Sequence, residues 1–174
     1  MRHLAVADYV TMPWANGRGT TVELLREDGP KGLLFRLSMA SVIEDGPFSI
    51  FPGIERNLTV ISGPGFRLDG PGLSLLCKPL VPVAFAGDLP VQAVETGNRP
   101  SNDFNVMTAR ALPIPDVTVE AAHASLPAGG TLYLFALAPV VINGVKVDRH
   151  DLIVTEGSAR IDGTGPVIAV RRRR

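Results

Sequence analysis

Apolar and polar residues alternate along short stretches of this chain, and glycine or proline interrupts the alternation at close intervals. In GLLFRLSMASV (32–42), Phe35, Leu37 and Met39 fall on one face of an extended strand, and Arg36, Ser38 and Ala40 fall on the other. TTVELLRE (20–27) precedes it across DGPK, a turn sequence, so the two segments predict a hairpin. RNLTVISG (56–63) and FRLDG (66–70) predict a second pair around Gly63-Pro64-Gly65. TLYLFALA, VVINGVKVDR, DLIVTEG, SARIDG and PVIAVR carry the same pattern to the C-terminus. Only EAAHASL (120–126) has the composition of a helical turn. The 18 glycines and 15 prolines are spread evenly, which disfavours helices, because proline removes a backbone donor and clashes with the preceding turn. The expected fold is all-β, a sandwich or a barrel.

Two parts of the chain echo each other. LTVISGPGFRLDG (58–70) is similar to LYLFALAPVVING (132–144): an apolar strand, a break, then a strand ending at an Asp/Asn-Gly turn. Downstream, AFAGDLPVQAVETG (84–97) is similar to DLIVTEGSARIDGTG (151–165). This is what two stacked small barrels from a duplicated unit would give, with halves at about 1–97 and 98–174.

Composition narrows the functional classes. A chain of 174 residues with 45% hydrophobic content can bury a core without metals or crosslinks. No apolar run is long enough to span a bilayer, and Asp8 interrupts the short apolar part of the N-terminus, so neither a membrane span nor a secretory signal is expected. Cys77 is the only cysteine, which rules out an intramolecular disulfide and suits a reducing cytoplasm. The formal charge is zero, but Arg171 to Arg174 concentrate positive charge at the C-terminus. The rest of the chain is mildly acidic and offers no basic face for nucleic acid, and the arginine tail reads as a solvated end.

Candidate chemistry begins at PWANGRGTT (13–21), which is glycine-rich, basic and hydroxyl-bearing. It is not a phosphate loop: no lysine precedes the threonine, GxGxxG is absent, and the following TTVELLRE predicts a strand where phosphate binding needs a helix N-terminus. His3, His123 and His150 lack metal-ligand spacing, and no nucleophile elbow is present. The chain does have arginines in apolar settings. Arg36 lies between Phe35 and Leu37; if its face is the interior, it must meet a carboxylate of the protein or of a ligand. Arg56 opens RNLTVISG with the same choice. Asp103 and Asn105 share one face of SNDFNVM, alternating with Phe104 and Val106. An internal lattice, such as Arg36 or Arg56 with Asp103, and a ligand site are both open readings, and they are compatible.

Several of these stretches together resemble one family. PWANGRGTT with the glutamate that follows is similar to a W-x-N-G-x-G-T-T segment, and FRLSMASVIEDGPFSIFPGIERNLTVISG (35–63) to the longest signature, with DGPFS and the FPGxxR turn in place. AFAGD (84–88) and NDFNVMTAR (102–110) resemble the remaining two, in order and with fitting spacing. On these motifs the chain is identified as a member of the HutD/Ves family of the cupin superfamily. The resemblance implies a cupin-type double-stranded β-helix, two small barrels (a bicupin) in one compact chain. It also implies an association with histidine utilisation, where members are thought to bind a small acid such as N-formylglutamate. Metal-type cupins carry an HxH pair and a glutamate ahead of a strand ending in glycine; the matching PFSIFPGIERNLTVISG has no histidine, so neither metal nor other cofactor is expected. Ala109 stands where relatives often have a second basic residue beside Arg110.

The resulting expectation is a metal-free cupin that binds a small carboxylate metabolite and modulates histidine utilisation. Arg36 and Arg56 would hold the carboxylate, while Asn16, Thr20, Ser38 and Asn105 would read its polar remainder. Asp103 would orient an arginine or accept from a ligand amide, and Trp14 and Phe48 would supply apolar wall. Two alternatives remain open: a metal-independent enzyme on a histidine-pathway intermediate, with Asp103, Glu23 or His150 as base, and a partner-binding module without a small ligand. No nucleic acid or membrane partner is expected; a homodimer through strand edges is possible.

Overall fold

The computed structural model describes residues 1–14 and 19–173. The chain opens with β1 (Arg2–Leu4), a single 3-10 turn (Val6–Asp8), and β2 (Val10–Pro13). β3 (Thr20–Gly29) and β4 (Gly32–Val42) form the expected hairpin, with Gly29 opposite Gly32. Then follow β5 (Gly46–Pro47), β6 (Ile54–Ser62), β7 (Phe66–Gly70), β8 (Leu73–Cys77), β9 (Val83–Ala86), β10 (Gln92–Val94) and β11 (Ser101–Ala109). The remainder holds β12 (Asp116–Glu120), β13 (Ala124–Leu126), β14 (Thr131–Ala136), β15 (Val140–Ile142), β16 (Val145–Val147), β17 (Leu152–Thr155), β18 (Ala159–Gly163) and β19 (Val167–Arg172). The fold is all-β.

The chain divides into two compact units, residues 10–112 and residues 1–9 with 113–174. The division therefore does not fall near residue 97 as the sequence echo suggested. β11, which that boundary assigned to the second half, is the central strand of the first unit, hydrogen-bonded to β4 on one side and β6 on the other. In the first unit a six-stranded sheet, β2-β3-β4-β11-β6-β9, is accompanied by a four-stranded one, β5-β10-β7-β8. Val42, Leu58, Val60, Phe66, Leu68, Phe85 and Val91, drawn from both sheets, form its buried apolar core. In the second unit the sheets are β1-β17-β14-β19-β12 and β13-β18-β15-β16, around Leu132, Leu134, Val140, Ile142, Ile153 and Ile161.

These two arrangements are one pattern used twice. Advancing each strand number from β4 to β11 by eight turns β4-β11-β6-β9 and β5-β10-β7-β8 into β12-β19-β14-β17 and β13-β18-β15-β16. The echoed stretches 58–70 and 132–144 are then β6–β7 and β14–β15, at equivalent places, and Leu58, Val60, Phe66 and Leu68 match Leu132, Leu134, Val140 and Ile142 as core residues. What differs is the N-terminal addition: β2 and β3 extend the first unit, whereas β1 pairs with β17 at the edge of the second.

Two local expectations are corrected. β6 and β7 do not pair with each other; at Gly63 and Gly65 the chain leaves one sheet for the other. Both glycines have positive φ, and a Cβ would lie 2.3 Å from the Pro100 carbonyl oxygen at Gly63 and 2.2 Å from that of Cys77 at Gly65, so no other residue fits this crossing. EAAHASL forms no helical turn: it runs from the end of β12 into β13, with His123 at a φ of 66° between them.

Candidate functional site

The site is built on one face of the six-stranded sheet. Because β11 lies between β4 and β6, Met107 is opposite Arg36 on one side and Arg56 on the other. The next row on the same face is Ser38, Asn105 and Leu58, and the one after it Ala40, Asp103 and Val60. The polar rows thus continue directly into the apolar core through Leu58 and Val60. The opposite face carries Phe35, Leu37, Phe104 and Val106, all buried as well. Since both faces exclude water, burial does not push Arg36 outward, and its guanidinium lies on the cavity side.

A cavity of about 450 Å³ opens on this face. It brings together Trp14, Arg36, Ser38, Phe48, Arg56, Asp103 and Asn105 among the sequence-expected residues. Thr20 is exposed and does not line it; its neighbour Thr21 does, because Thr21 is the residue paired with Ala40 and shares the cavity face. Asn16 lies outside the described residues. Trp14 is fixed by its indole N–H, which donates to Thr21 Oγ1 at 2.9 Å, and by its backbone N–H to the Gly19 carbonyl at 2.8 Å. Gly19 is required by the ring itself: a Cβ there would sit 2.9 Å from the Trp14 carbons.

Arg56 is 7% exposed and unusually placed. Its guanidinium carbon lies 5.4, 5.3 and 5.0 Å from the ring centroids of Phe48, Phe51 and Phe85, so three aromatic faces stabilise the cation where water cannot. One Nη donates to Asn105 Oδ1 at 3.1 Å and the other to the Ser49 carbonyl at 3.4 Å, while Nε has no partner within the protein. Asn105 in turn donates through Nδ2 to Asp103 Oδ1. Asp103 Oδ2 is buried without a hydrogen-bond partner. Burial raises the Asp103 carboxyl to about 7, against the opposing pull of Arg56 and of the Asn105 hydrogen bond. Burial likewise lowers the Arg56 guanidinium to about 10, with Asp103 opposing and Arg36 assisting, so Arg56 stays charged at neutral pH.

Arg36 has a carboxylate of its own. Its Nε is 2.7 Å from Glu23 Oε2, an ion pair by distance that is not aligned as a hydrogen bond, since both atoms remain buried without one. The lattice suggested by the sequence is therefore arranged differently: Arg36 pairs with Glu23 rather than Asp103, and Arg56 reaches Asp103 through Asn105. Sequence reasoning missed Thr21, Phe51 and Met107. Met107 continues the alternation of Asp103 and Asn105, and Phe51 precedes Arg56 within the FPGIER stretch, so both carried a legible signal.

The remaining motif residues hold the frame. Arg110 grips both oxygens of Asp88 at 2.9 Å and also reaches Glu55, while its N–H donates to the Gly53 carbonyl at 2.8 Å. This joins AFAGD, the FPGIE turn and the end of NDFNVMTAR around the base of Arg56. Asp45 of DGPFS accepts from the backbone N–H and hydroxyl of Thr96. Outside the cavity, His3 bonds Asp151 at 2.8 Å and His150 stacks on Phe135, both within the second unit. Among the described residues, no three His, Cys, Asp or Glu side chains are grouped to hold a metal ion.

A second hollow, of about 620 Å³, lies in the other unit beside Arg171 and Arg173. It is wide open, and its arginines are engaged with the Gly129 carbonyl and with Asp116. The duplicated pattern does not duplicate the site. By strand register, Gly130 stands where Arg56 does, and Ala169 where Asp103 does.

A doubled eight-strand pattern of paired sheets, with a polar cavity opening on a sheet face, defines a cupin-like all-β fold. Its resemblance to a bacterial pirin from Escherichia coli bound to nickel(II), with a TM-score of 0.68 at 10% identity over 99% of this chain and 98% of that one, is one of fold alone. The chain belongs to the HutD family, whose model matches residues 6–168. HutD from Pseudomonas fluorescens superposes with a TM-score of 0.88 at 30% identity, covering 99% of this chain and 97% of that one. A conserved protein of unknown function from Pseudomonas aeruginosa does so with 0.86 at 31%, covering 99% and 98%. A Pseudomonas putida protein of 21.2 kDa, encoded in the hutC 3′ region, is 41% identical over 111 residues, 61% of this chain and 57% of that protein. The match thus spans little more than half of that relative's length. No helix among the described residues is long and apolar enough to cross a membrane.

Proposed function

We propose that the cavity binds a small carboxylate-bearing metabolite, such as N-formylglutamate or another intermediate of histidine catabolism, and that the protein thereby modulates histidine utilisation in the cytoplasm. In this reading each unit is one small barrel of a bicupin, and only the barrel of residues 10–112 carries the site. The observation that supports it most is the pair of buried polar atoms without partners, Arg56 Nε and Asp103 Oδ2, on one cavity of about 450 Å³. Buried groups of this kind are costly unless something hydrogen-bonds them. Arg56 and Arg36 supply planar cationic donors for a carboxylate, Ser38 and Asn105 neutral polar contacts, and Trp14, Phe48 and Phe51 apolar wall. The genomic place of the P. putida relative beside hutC favours a ligand from that pathway.

Thermal unfolding against histidine, urocanate, imidazolone propionate, formiminoglutamate, N-formylglutamate, glutamate and formate tests the reading. A ligand that binds only the native state raises the melting temperature with the logarithm of its concentration over Kd. The expected result is a rise with at least one acid, lost in the Arg36→Ala, Arg56→Ala double variant while the circular dichroism spectrum is kept. No rise with any acid would turn the assignment to a partner-binding module.

One observation favours a second reading. A carboxyl near neutrality in a cavity is suited to proton transfer, so Asp103 would be the base of a metal-independent enzyme. Turnover of a panel acid that disappears in Asp103→Asn, with binding retained, would establish it.

A further inference from the structure

The charges around this cavity are not evenly matched. Arg36 has Glu23 against it at 2.7 Å, so that pair adds no net charge. Arg56 has no carboxylate of its own; it meets the neutral Asn105, a backbone carbonyl and three phenylalanine rings. Asp103 is the one acid left, linked to Arg56 through Asn105, with Oδ2 buried and unpartnered. The groups that act on Asp103 are Arg56 from β6, Asn105 from β11 itself and Cys77 from β8, while Arg36 with Glu23, from β4 and β3, lies two rows along the sheet and acts on Arg56. The Cys77 thiol, raised by burial to about 12, stays neutral, and no histidine lines the cavity.

Resting on the carboxylate-site reading, we infer that the cavity selects a singly charged acid and takes up one proton on Asp103 as that acid binds. Among the described residues Arg56 is the one cation of this cavity without a carboxylate against it, and an anion brought beside Asp103 drives that carboxyl to protonate, because like charges at close range raise its pKa. The incoming carboxylate takes Arg56, and Asp103 responds by binding a proton from solvent at Oδ2; no other bond is made or broken. The protonated carboxyl then becomes a hydrogen-bond donor, and the buried oxygen that had no partner gains one on the ligand. Among the described residues a second carboxylate on the ligand finds no free cation, so a dianion such as N-formylglutamate binds only by displacing Glu23 from Arg36 and ranks below a singly charged acid of the same pathway. Asp103 is thus the residue that reads ligand charge.

Succinamate and succinate have the same length and shape but differ by one charge, which makes them suitable probes. Calorimetric titration of the intact protein would be run with both acids between about pH 6 and about pH 8.5, in two buffers of different ionisation enthalpy. Succinamate affinity is expected to be flat at the acid end and to fall by about tenfold per pH unit at the alkaline end, with up to one proton taken up. Above about pH 7.5, where succinate is a full dianion, it is expected to bind about tenfold or more weakly than succinamate. Asp103→Asn, which mimics the protonated acid, should bind succinamate with no pH dependence and no proton uptake.

A flat wild-type profile with equal enthalpies in the two buffers would overturn the proton coupling, and succinate binding as tightly as succinamate above about pH 7.5 would overturn the charge rule. Either result would leave the acid site standing. Failure of both acids and of formate to bind at all would overturn the acid site and this inference with it. The wild-type profile decides the matter even if Asp103→Asn does not fold.

Discussion

At Asp103 a single buried carboxyl sets a measurable cost. Its folded-state value, about 7, lies above the ordinary carboxylate value of 3.8, so between those two the folded protein holds a proton that the unfolded chain has lost. The stability associated with that proton is fully present below the ordinary value and is lost as pH rises through about 7. Asp103→Asn removes this dependence. Urea unfolding should therefore show the variant gaining on the wild type from about pH 4 to about pH 8, by up to roughly 4 kcal/mol. A gap that does not change with pH would mean that Asp103 is ionised in the fold. Arg56 makes a different point: its three ring contacts depend on a flat guanidinium, so charge alone does not replace it. Arg56→Lys is expected to remain folded and yet lose the ligand-induced rise in melting temperature. A full rise in that variant would show that a point charge suffices.

At the scale of elements, the site depends on β11 lying between β4 and β6, and on the crossing that carries β6 away into the other sheet. Gly65 permits that crossing, since a side chain there would collide with the Cys77 carbonyl in a backbone conformation that L residues avoid. Gly65→Ala is expected to cost about 2 kcal/mol or more, read as a lower urea midpoint with an unchanged slope. The bulge of β3 between Glu23 and Leu25 is equally consequential. It keeps Thr21 and Glu23 on the cavity face opposite Ala40 and Ser38, which is how Glu23 comes to neutralise Arg36. The Arg110–Asp88–Glu55 cluster at the far end of β11 holds the segments on either side of Arg56.

At the scale of the molecule, the first nine residues belong to the unit otherwise made from 113–174. β1 pairs with β17 through Leu4 opposite Leu152, and the tie is completed by His3 and by the Val6 N–H, both bonded to Asp151. Asp151 is 5% exposed, so Asp151→Ala leaves a backbone donor and an imidazole without their acceptor. A loss of about 1–3 kcal/mol is expected, read as a lower melting temperature. Deletion of residues 1–9 should lower it further and promote association, because it bares the β17 edge. An unchanged melting temperature in the deletion would show that β1 adds nothing to its unit.

Much of this was legible in the chain itself. Period-two alternation set the strands, DGPK and Asn143-Gly144 set two hairpins, and the internal echo marked the repeated segments, because each of these signals is carried by residues close together in sequence. The signature motifs marked the family and most of the cavity residues. What only the tertiary structure decided is pairing. Alternation tells that Arg36 and Ser38 share a face, but both faces of this sheet are buried, so it does not tell which one meets the cavity. Nor does it show that Met107 lies between the two arginines, that Thr21 rather than Thr20 faces inward, or that Glu23 takes Arg36 and leaves Arg56 to Asn105. The place of Met107 comes from pairing between strands far apart in the chain, and the places of Thr21 and Glu23 from the bulged register of the β3–β4 hairpin, neither of which alternation alone specifies.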